Sequence, residues 1–146
     1  MLTWVYRGID RARQHAQRRI LTPDQATGRR GEDIAHRYLQ RRGYQVVARN
    51  FRPRSGVGEI DLIAWDRETL VIVEVKTRRS DEFGLPERNV TPEKEQALVR
   101  AARDYARRAG VDWEKVRFDL VSIVLREPPE VLHQEAAFRS APARRV

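Results

Sequence analysis

Two segments with a period of two constrain most of what this chain can fold into. Gly58-Glu59-Ile60-Asp61-Leu62-Ile63 and, after a short turn, Val73-Glu74-Val75-Lys76 each set a carboxylate among alternating apolar residues. Successive side chains on a strand point to opposite faces. Glu74 and Lys76 therefore share a face with Ile72, while Val71, Val73 and Val75 take the other. On the partner strand Glu59, Asp61 and Ile63 share one face, and Ile60, Leu62 and Ala64 the opposite one. A hairpin centred on Arg67-Glu68 sets Asp61 across from Glu74 and Glu59 across from Lys76. Like charges opposed across a sheet destabilise it, and an unpaired charge among apolar neighbours is costly. A divalent cation between Asp61 and Glu74 removes the conflict. Two acids and a lysine around a metal are the parts needed to cut a phosphodiester. On spacing alone, acid-x-lysine in a strand equally describes a solvated face with an ordinary Glu59–Lys76 pair.

The charge balance narrows the partners. A net charge of +8 over 146 residues, carried mostly by arginine, points to a polyanion, with nucleic acid first. Arginine forks onto phosphate oxygens. A generally basic protein is the plainer reading of the same number. The length suits one domain with a core and some extension. The absence of cysteine excludes disulfides, thiol nucleophiles and cysteine–zinc sites. It accords with a cytoplasmic location, which is the expectation. Met1–Tyr6 is too short an apolar run for a signal peptide, and no stretch approaches the roughly 20 apolar residues of a membrane span. There is no Gly-x-x-x-x-Gly-Lys phosphate loop and no Gly-x-Ser-x-Gly elbow.

Residues 1–27 read as an arginine-rich N-terminal arm, flexible or partly helical. From Gly28 to Arg42, Ile34, Ala35, Tyr38 and Leu39 recur at helical spacing, and Gly43 marks a stop. Glu32 borders that buried stripe in the first turn, while Gly31 and Ala35 are small enough for the helix to approach a sheet closely. Tyr44–Phe51 reads as a strand, and Arg52-Pro53-Arg54-Ser55-Gly56 as a basic turn. The two motif strands follow, then a polar stretch over 77–90 that reads as a loop beside the acids. Thr91-Pro92 opens a second helix, with Lys94 at the start of a face built on Leu98, Ala101, Ala102 and Tyr105. Arg117–Leu125 is the last strand expected, and Asp119 within it is expected to pair with Arg117 or cap a helix. His36, four residues after Glu32, reads as an ordinary helix residue or a support for the acids. After Glu127-Pro128-Pro129 the pattern fades into a tail, 127–146. The expected domain, 28–126, has the order αβββαβ: a mixed four-stranded α/β sheet flanked by helices, three strands as an antiparallel meander and the fourth reached by a helical crossover.

An ordered set of these residues resembles the YraN family. It comprises Gly28-Arg29-Arg30-Gly31-Glu32, Gly43-Tyr44, Asn50-Phe51-Arg52, Gly58–Ile63 and Val73-Glu74-Val75-Lys76-Thr77-Arg78, then Gly84-Leu85-Pro86-Glu87, Val90-Thr91-Pro92, Lys94 and Arg117-Phe118-Asp119. The resemblance runs from about Gly28 to Leu125. It implies a restriction-endonuclease-like core of the PD-(D/E)xK type, similar to archaeal Holliday junction resolvases. In that superfamily Asp61 matches the metal-binding aspartate, Glu74 and Lys76 the Glu-x-Lys pair, and Glu32 the acid of the first helix. Lys94 matches a lysine of the second helix. Ile60 stands where proline often precedes the aspartate, a position without chemistry.

The implied function is a metal-dependent nuclease acting on DNA in preference to RNA, with junctions among its substrates and a homodimer by analogy. Asp61, Glu74 and Glu32 would hold Mg²⁺ or Mn²⁺, Lys76 would act beside the attacked phosphate, and Arg78, Lys94, Arg52 and Arg54 would bind the nucleic acid. The alternative is a non-catalytic nucleic-acid-binding or scaffolding protein on the same fold, its acids paired with Lys76, Arg78 or Arg52.

Overall fold

Thr22 and Thr91 start the two α-helices of the described residues by the same device. The structure, a computed structural model, describes residues 21–80 and 91–139. Helix α1 is Pro23–Arg41 and helix α2 is Pro92–Ala109. The Thr22 hydroxyl accepts the Gln25 N–H at 3.2 Å, and the Gln25 side chain accepts the Thr22 N–H at 3.0 Å, closing a capping box. Thr91 accepts the Lys94 N–H at 3.3 Å. A proline follows each cap, where its missing N–H costs nothing. Gly110 ends α2 at φ 67°, a left-handed cap that a Cβ would strain.

Five strands make one sheet, in the spatial order β1 (Gln45–Phe51), β2 (Ile60–Asp66), β3 (Thr69–Arg79), β4 (Val116–Leu125) and β5 (Glu130–Phe138). β1, β2 and β3 form an antiparallel meander. Helix α2 and a short 3₁₀ turn at Trp113–Lys115 then carry the chain to β4, which lies parallel to β3. The hairpin turns on Arg67-Glu68, with Asp66 paired to Thr69 and Arg67 at φ 55°. This is the restriction-endonuclease-like α/β architecture the sequence implies, with one strand more.

That extra strand is β5, which pairs antiparallel with β4 and occupies residues expected to lie in a tail. Helix α1 also begins earlier than expected, so 23–27 belong to it. The rest of the expected arm, 1–20, most of the expected loop, 81–90, and 140–146 lie outside the described residues.

The sheet has a packed layer on each side. Leu62, Ala64, Val71 and Val73 meet Ala35 and Leu39 of α1, whereas Ile63, Leu70 and Ile72 meet Leu98, Ala101 and Ala102 of α2. Ile60 departs from the expected alternation and joins the α2 layer, so the strand's regular period slips at Asp61. Helix α1 crosses β3 as closely as backbone allows. A Cβ on Gly31 would lie 1.8 Å from Thr77 Oγ1.

Between β4 and β5 the core is polar. Asp119 is fully buried and takes two bonds from Arg117, at 2.8 and 2.9 Å, and one from the Ala136 N–H at 3.1 Å. His133 Nε2 lies 2.8 Å from the same carboxylate, and Tyr38 Oη lies 3.3 Å from His133 Nδ1. Arg117 also reaches Asp66 and Tyr44. Burial lifts the Tyr44 hydroxyl to about 12, so it stays protonated and donates to Glu135. The expected Arg117–Asp119 pair is therefore present, within a network that also fastens β5. Burial alone would raise the Asp119 carboxyl; bonds from His133, Arg117 and the Ala136 N–H outweigh it and hold the group below the usual range. A carboxyl lowered on folding contributes stability above its unfolded value, lost as pH falls through the folded one. Asp119→Ala is expected to cost about 3–5 kcal/mol in urea unfolding, because it strands buried partners. A loss below about 1 kcal/mol would show that the network is not holding β5.

Candidate functional site

The site begins where β2 and β3 part. Their ladder runs from Asp66↔Thr69 to Leu62↔Val73 and stops, while β3 continues beside β4 as far as Arg79↔Leu125. Among the described residues no strand pairs with the other edge of β3 beyond Val73. Asp61 fills the first vacancy with its side chain, Oδ2 accepting the Val75 N–H at 2.8 Å. Glu74 is next to that amide, on the α2 side, and only 3% exposed. The expected Asp61–Glu74 juxtaposition is thus present. Glu59, expected across from Lys76, lies beyond the end of the ladder and bonds Arg52 at 3.2 Å.

Both helices close on this gap. From α2, Lys94 forms an ion pair with Glu74 Oε1. The other oxygen, Glu74 Oε2, is buried without a hydrogen-bond donor. From α1, Glu32 follows the Gly31–Thr77 contact that pins the helix to β3. Gly58, at φ 86°, brings the connection before β2 against α2; a Cβ there would lie 2.9 Å from the Ala97 carbonyl oxygen. Two adjoining clefts result, of about 310 and 330 Å³. Glu32, Asp61, Glu74 and Lys94 line both, Gly58 and Glu59 complete the first, and Lys76, Thr77 and Arg79 belong to the second.

The electrostatics follow from the crowding. Burial first, then the charges of Glu74 and Glu32, drive the Asp61 carboxyl up to about 8, against the lowering bond from the Val75 N–H. Burial acts to lower Lys94, but its bond to Glu74 and the neighbouring Asp61 charge carry it above its ordinary value, so it stays cationic. Among the described residues no three acid or histidine side chains stand together as a ready metal cage. The donor set is the carboxylate pair Asp61 and Glu74, with Glu32 in the same clefts. That set fits magnesium, which takes one or two carboxylates and retains several waters. The unpartnered Glu74 oxygen is the atom a cation would satisfy.

The sequence profile of the uncharacterised protein family UPF0102 matches residues 31–123. The chain belongs to that family. UPF0102 is the family to which the YraN resemblance points. A UPF0102 protein of Solibacter usitatus is 51% identical over 138 residues, covering 94% of this chain and all of the relative. One of Geobacter sulfurreducens is 43% identical over 78% of this chain and 89% of its own length. One of Rhodococcus jostii is 43% identical over 77% of this chain and 96% of its own. The profile match takes in Glu32, Asp61, Glu74, Lys76 and Lys94 and stops before β5.

Of the expected site residues, Asp61, Glu74, Lys76, Glu32 and Lys94 converge on the clefts of this UPF0102 chain. Arg78, Arg52 and Arg54 do not line either of them. The residue sequence reasoning missed is Arg49 of β1, which bonds Asp33 at 2.7 Å and lies 3.6 Å from Glu32 and 3.5 Å from His36. It holds the acid-bearing face of α1 to the sheet. Only its place in an otherwise apolar strand, Val46-Val47-Ala48-Arg49, marks it in the sequence. His36 thus supports the site at one remove.

The raised Asp61 carboxyl gives a pH dependence whose sign is fixed. An unfolded aspartate titrates near 3.8 and the folded one near 8. Between those values the folded chain holds the extra proton, so in chelator its stability falls as pH rises. The Asp61→Asn chain lacks this loss. Its melting temperature relative to wild type is expected to climb from pH 5 to pH 8 in thermal unfolding with EDTA. A constant difference across that range would rule out the buried, crowded carboxyl.

Proposed function

We propose that this chain is a metal-dependent nuclease that hydrolyses phosphodiester bonds in DNA. The observation carrying the reading is the buried Asp61–Glu74 pair at the split of the sheet, with one Glu74 oxygen lacking any donor and Lys76 and Lys94 beside it. Proteins bury two carboxyls together only where a proton or a cation compensates them. A bound Mg²⁺ would supply that compensation, an acidified water and charge neutralisation on the attacked phosphate. Asp61 and Glu74 would hold the ion, and Glu32, lining the same clefts, would contribute directly or through water.

The chain's own residues have separable tasks. Lys76 projects from the same face of β3 as Glu74, two residues on, and would orient the attacking water or stabilise negative charge gathering on the phosphate. Lys94, cationic and half-exposed, would meet a phosphate oxygen from the α2 side. The Val75 N–H fixes the Asp61 carboxylate, so its orientation costs nothing when substrate arrives. Arg52 and Arg54, exposed on the turn before Gly58, and Arg78, beyond Lys76 on β3, would contact the backbone further off.

One observation favours the second reading, a non-catalytic nucleic-acid-binding protein. Lys94 already neutralises one Glu74 oxygen without a metal. The two readings part in a cleavage assay with end-labelled junction, flap, single-stranded and duplex DNA, and RNA, in Mg²⁺ or Mn²⁺. Cutting that falls at least about a hundredfold in Glu74→Ala and in Lys76→Ala, with binding retained, is expected. Binding of the panel with no cutting in any metal would transfer the assignment to the second reading.

A further inference from the structure

Next to the acid cleft lies a hollow with the opposite charge. It has a volume of about 620 Å³ and is lined by Ala26, Thr27, Arg30, Arg79, Ser80 and Leu125. It shares Thr27 and Arg79 with the second acid cleft, so the two spaces adjoin. Its lining holds two guanidiniums and two hydroxyls and no carboxylate; the neighbouring Asp24 lines the acid cleft instead. Among the described residues neither Arg30 nor Arg79 is ion-paired with an acid. Arg49 and Arg52, also near the site, are paired with acids.

The fold builds this hollow by register. Gly31 sits on Thr77, fixing α1 against the far end of β3. One helical turn earlier is Thr27, and two strand residues later is Arg79. A turn of helix and two residues of strand advance by similar lengths, roughly 6 Å each. Thr27 therefore falls beside Arg79, and its Oγ1 accepts a bond from the guanidinium at 3.4 Å. That hydroxyl donates in turn to the Pro23 carbonyl at 2.9 Å, which fixes its lone pair toward Arg79. Ala26 and Arg30 lie four apart, on one side of α1, and set the second guanidinium over the same space. Leu125, paired to Arg79 across the sheet, forms the floor.

We propose that this hollow is a backbone-phosphate subsite, in which Arg30 and Arg79 hold a phosphate further along the strand whose scissile phosphate lies at Asp61 and Glu74. The proposal rests on the nuclease reading and deepens it. A guanidinium pair suits a phosphate diester oxygen pair, which each fork can bond. The strand would leave the acid cleft over the start of α1, passing Thr27 and Arg79. The substrate is then a polynucleotide with at least one phosphate beyond the cut, because a mononucleotide cannot span both spaces. No base edge is read there, since the lining offers charge and hydroxyls to a backbone.

The test is fluorescence anisotropy of fluorescein-labelled single-stranded and duplex DNA, in EDTA, over a series of KCl concentrations. The full chain is compared with Arg30→Gln/Arg79→Gln and with Arg37→Gln/Arg41→Gln, which loses the same charge from the other end of α1. All four arginines are exposed, so neither double substitution removes core contacts. The subsite predicts binding at least roughly tenfold weaker for the Arg30/Arg79 variant. It also predicts a salt slope shallower by about 1.4 for single strands or 1.8 for duplex, the value for two lost phosphate contacts. The Arg37/Arg41 variant is expected to keep the wild-type slope. Equal slopes and affinities for all three proteins would overturn the subsite and leave the nuclease reading standing. Wild-type binding without cleavage in any metal would overturn the nuclease, and the slope difference would still decide the subsite as a nucleic-acid contact. No binding by wild type would overturn the subsite.

Discussion

The constraint that organises this molecule is an edge left without a partner. β3 is longer than its neighbour β2 can follow, and its edge amides past Val73 must be satisfied or solvated. The Asp61 carboxylate bonds the Val75 amide and so becomes part of the sheet. That bond draws one acid into low-polarity surroundings beside another, Glu74, which the alternation of β3 has already turned inward. Gly31 and Gly58 then let both helices close over the gap. The charge conflict in the cleft follows from the backbone accounting of a split sheet and is not an independent decoration.

A second buried aspartate, on β4, solves a like problem the other way. Asp119 is as buried as any residue in the core, but arginine, histidine and a backbone amide surround it and favour its charged form. The contrast with Asp61 is instructive. One buried aspartate has its carboxyl pulled down by cations and donors, and the other has it pushed up by burial and then by two neighbouring acids. A fully satisfied network fastens strands, whereas an unsatisfied one leaves capacity for a ligand. The acid cleft is of the second kind, and the basic hollow that adjoins it carries the opposite charge.

Much of this was legible in the residues. The meander, the crossover and the hairpin turn at Arg67-Glu68 follow from alternation over Leu62–Asp66 and Leu70–Val75, and both motif acids meet where that ladder ends. The second helix is written in Thr91-Pro92 and its apolar face. Two elements escaped for different reasons. The start of α1 carries a Thr22-x-x-Gln25 capping box, a readable signal overshadowed by the surrounding arginines. β5 hides because the buried side chain of His133 and exposed Glu135 stand where a core strand would show apolar residues. Their partners, Asp119 and Tyr44, lie far off in sequence, so no local pattern reveals them. Arg49 is invisible for the same reason. The slip at Ile60 arises because β2 is leaving β3 there, a tertiary event that period counting does not contain.

The central claim is that the Asp61–Glu74 pair exists to hold a cation, and Mn²⁺ offers the most direct access to it. Protein freed of metal by chelation is titrated with Mn²⁺ while the electron paramagnetic resonance signal of the free ion is followed. The account predicts saturable uptake of one ion per chain, abolished in Asp61→Asn and in Glu74→Gln with the fold intact by circular dichroism. Uptake that is absent in wild type, or that survives both substitutions, would contradict it.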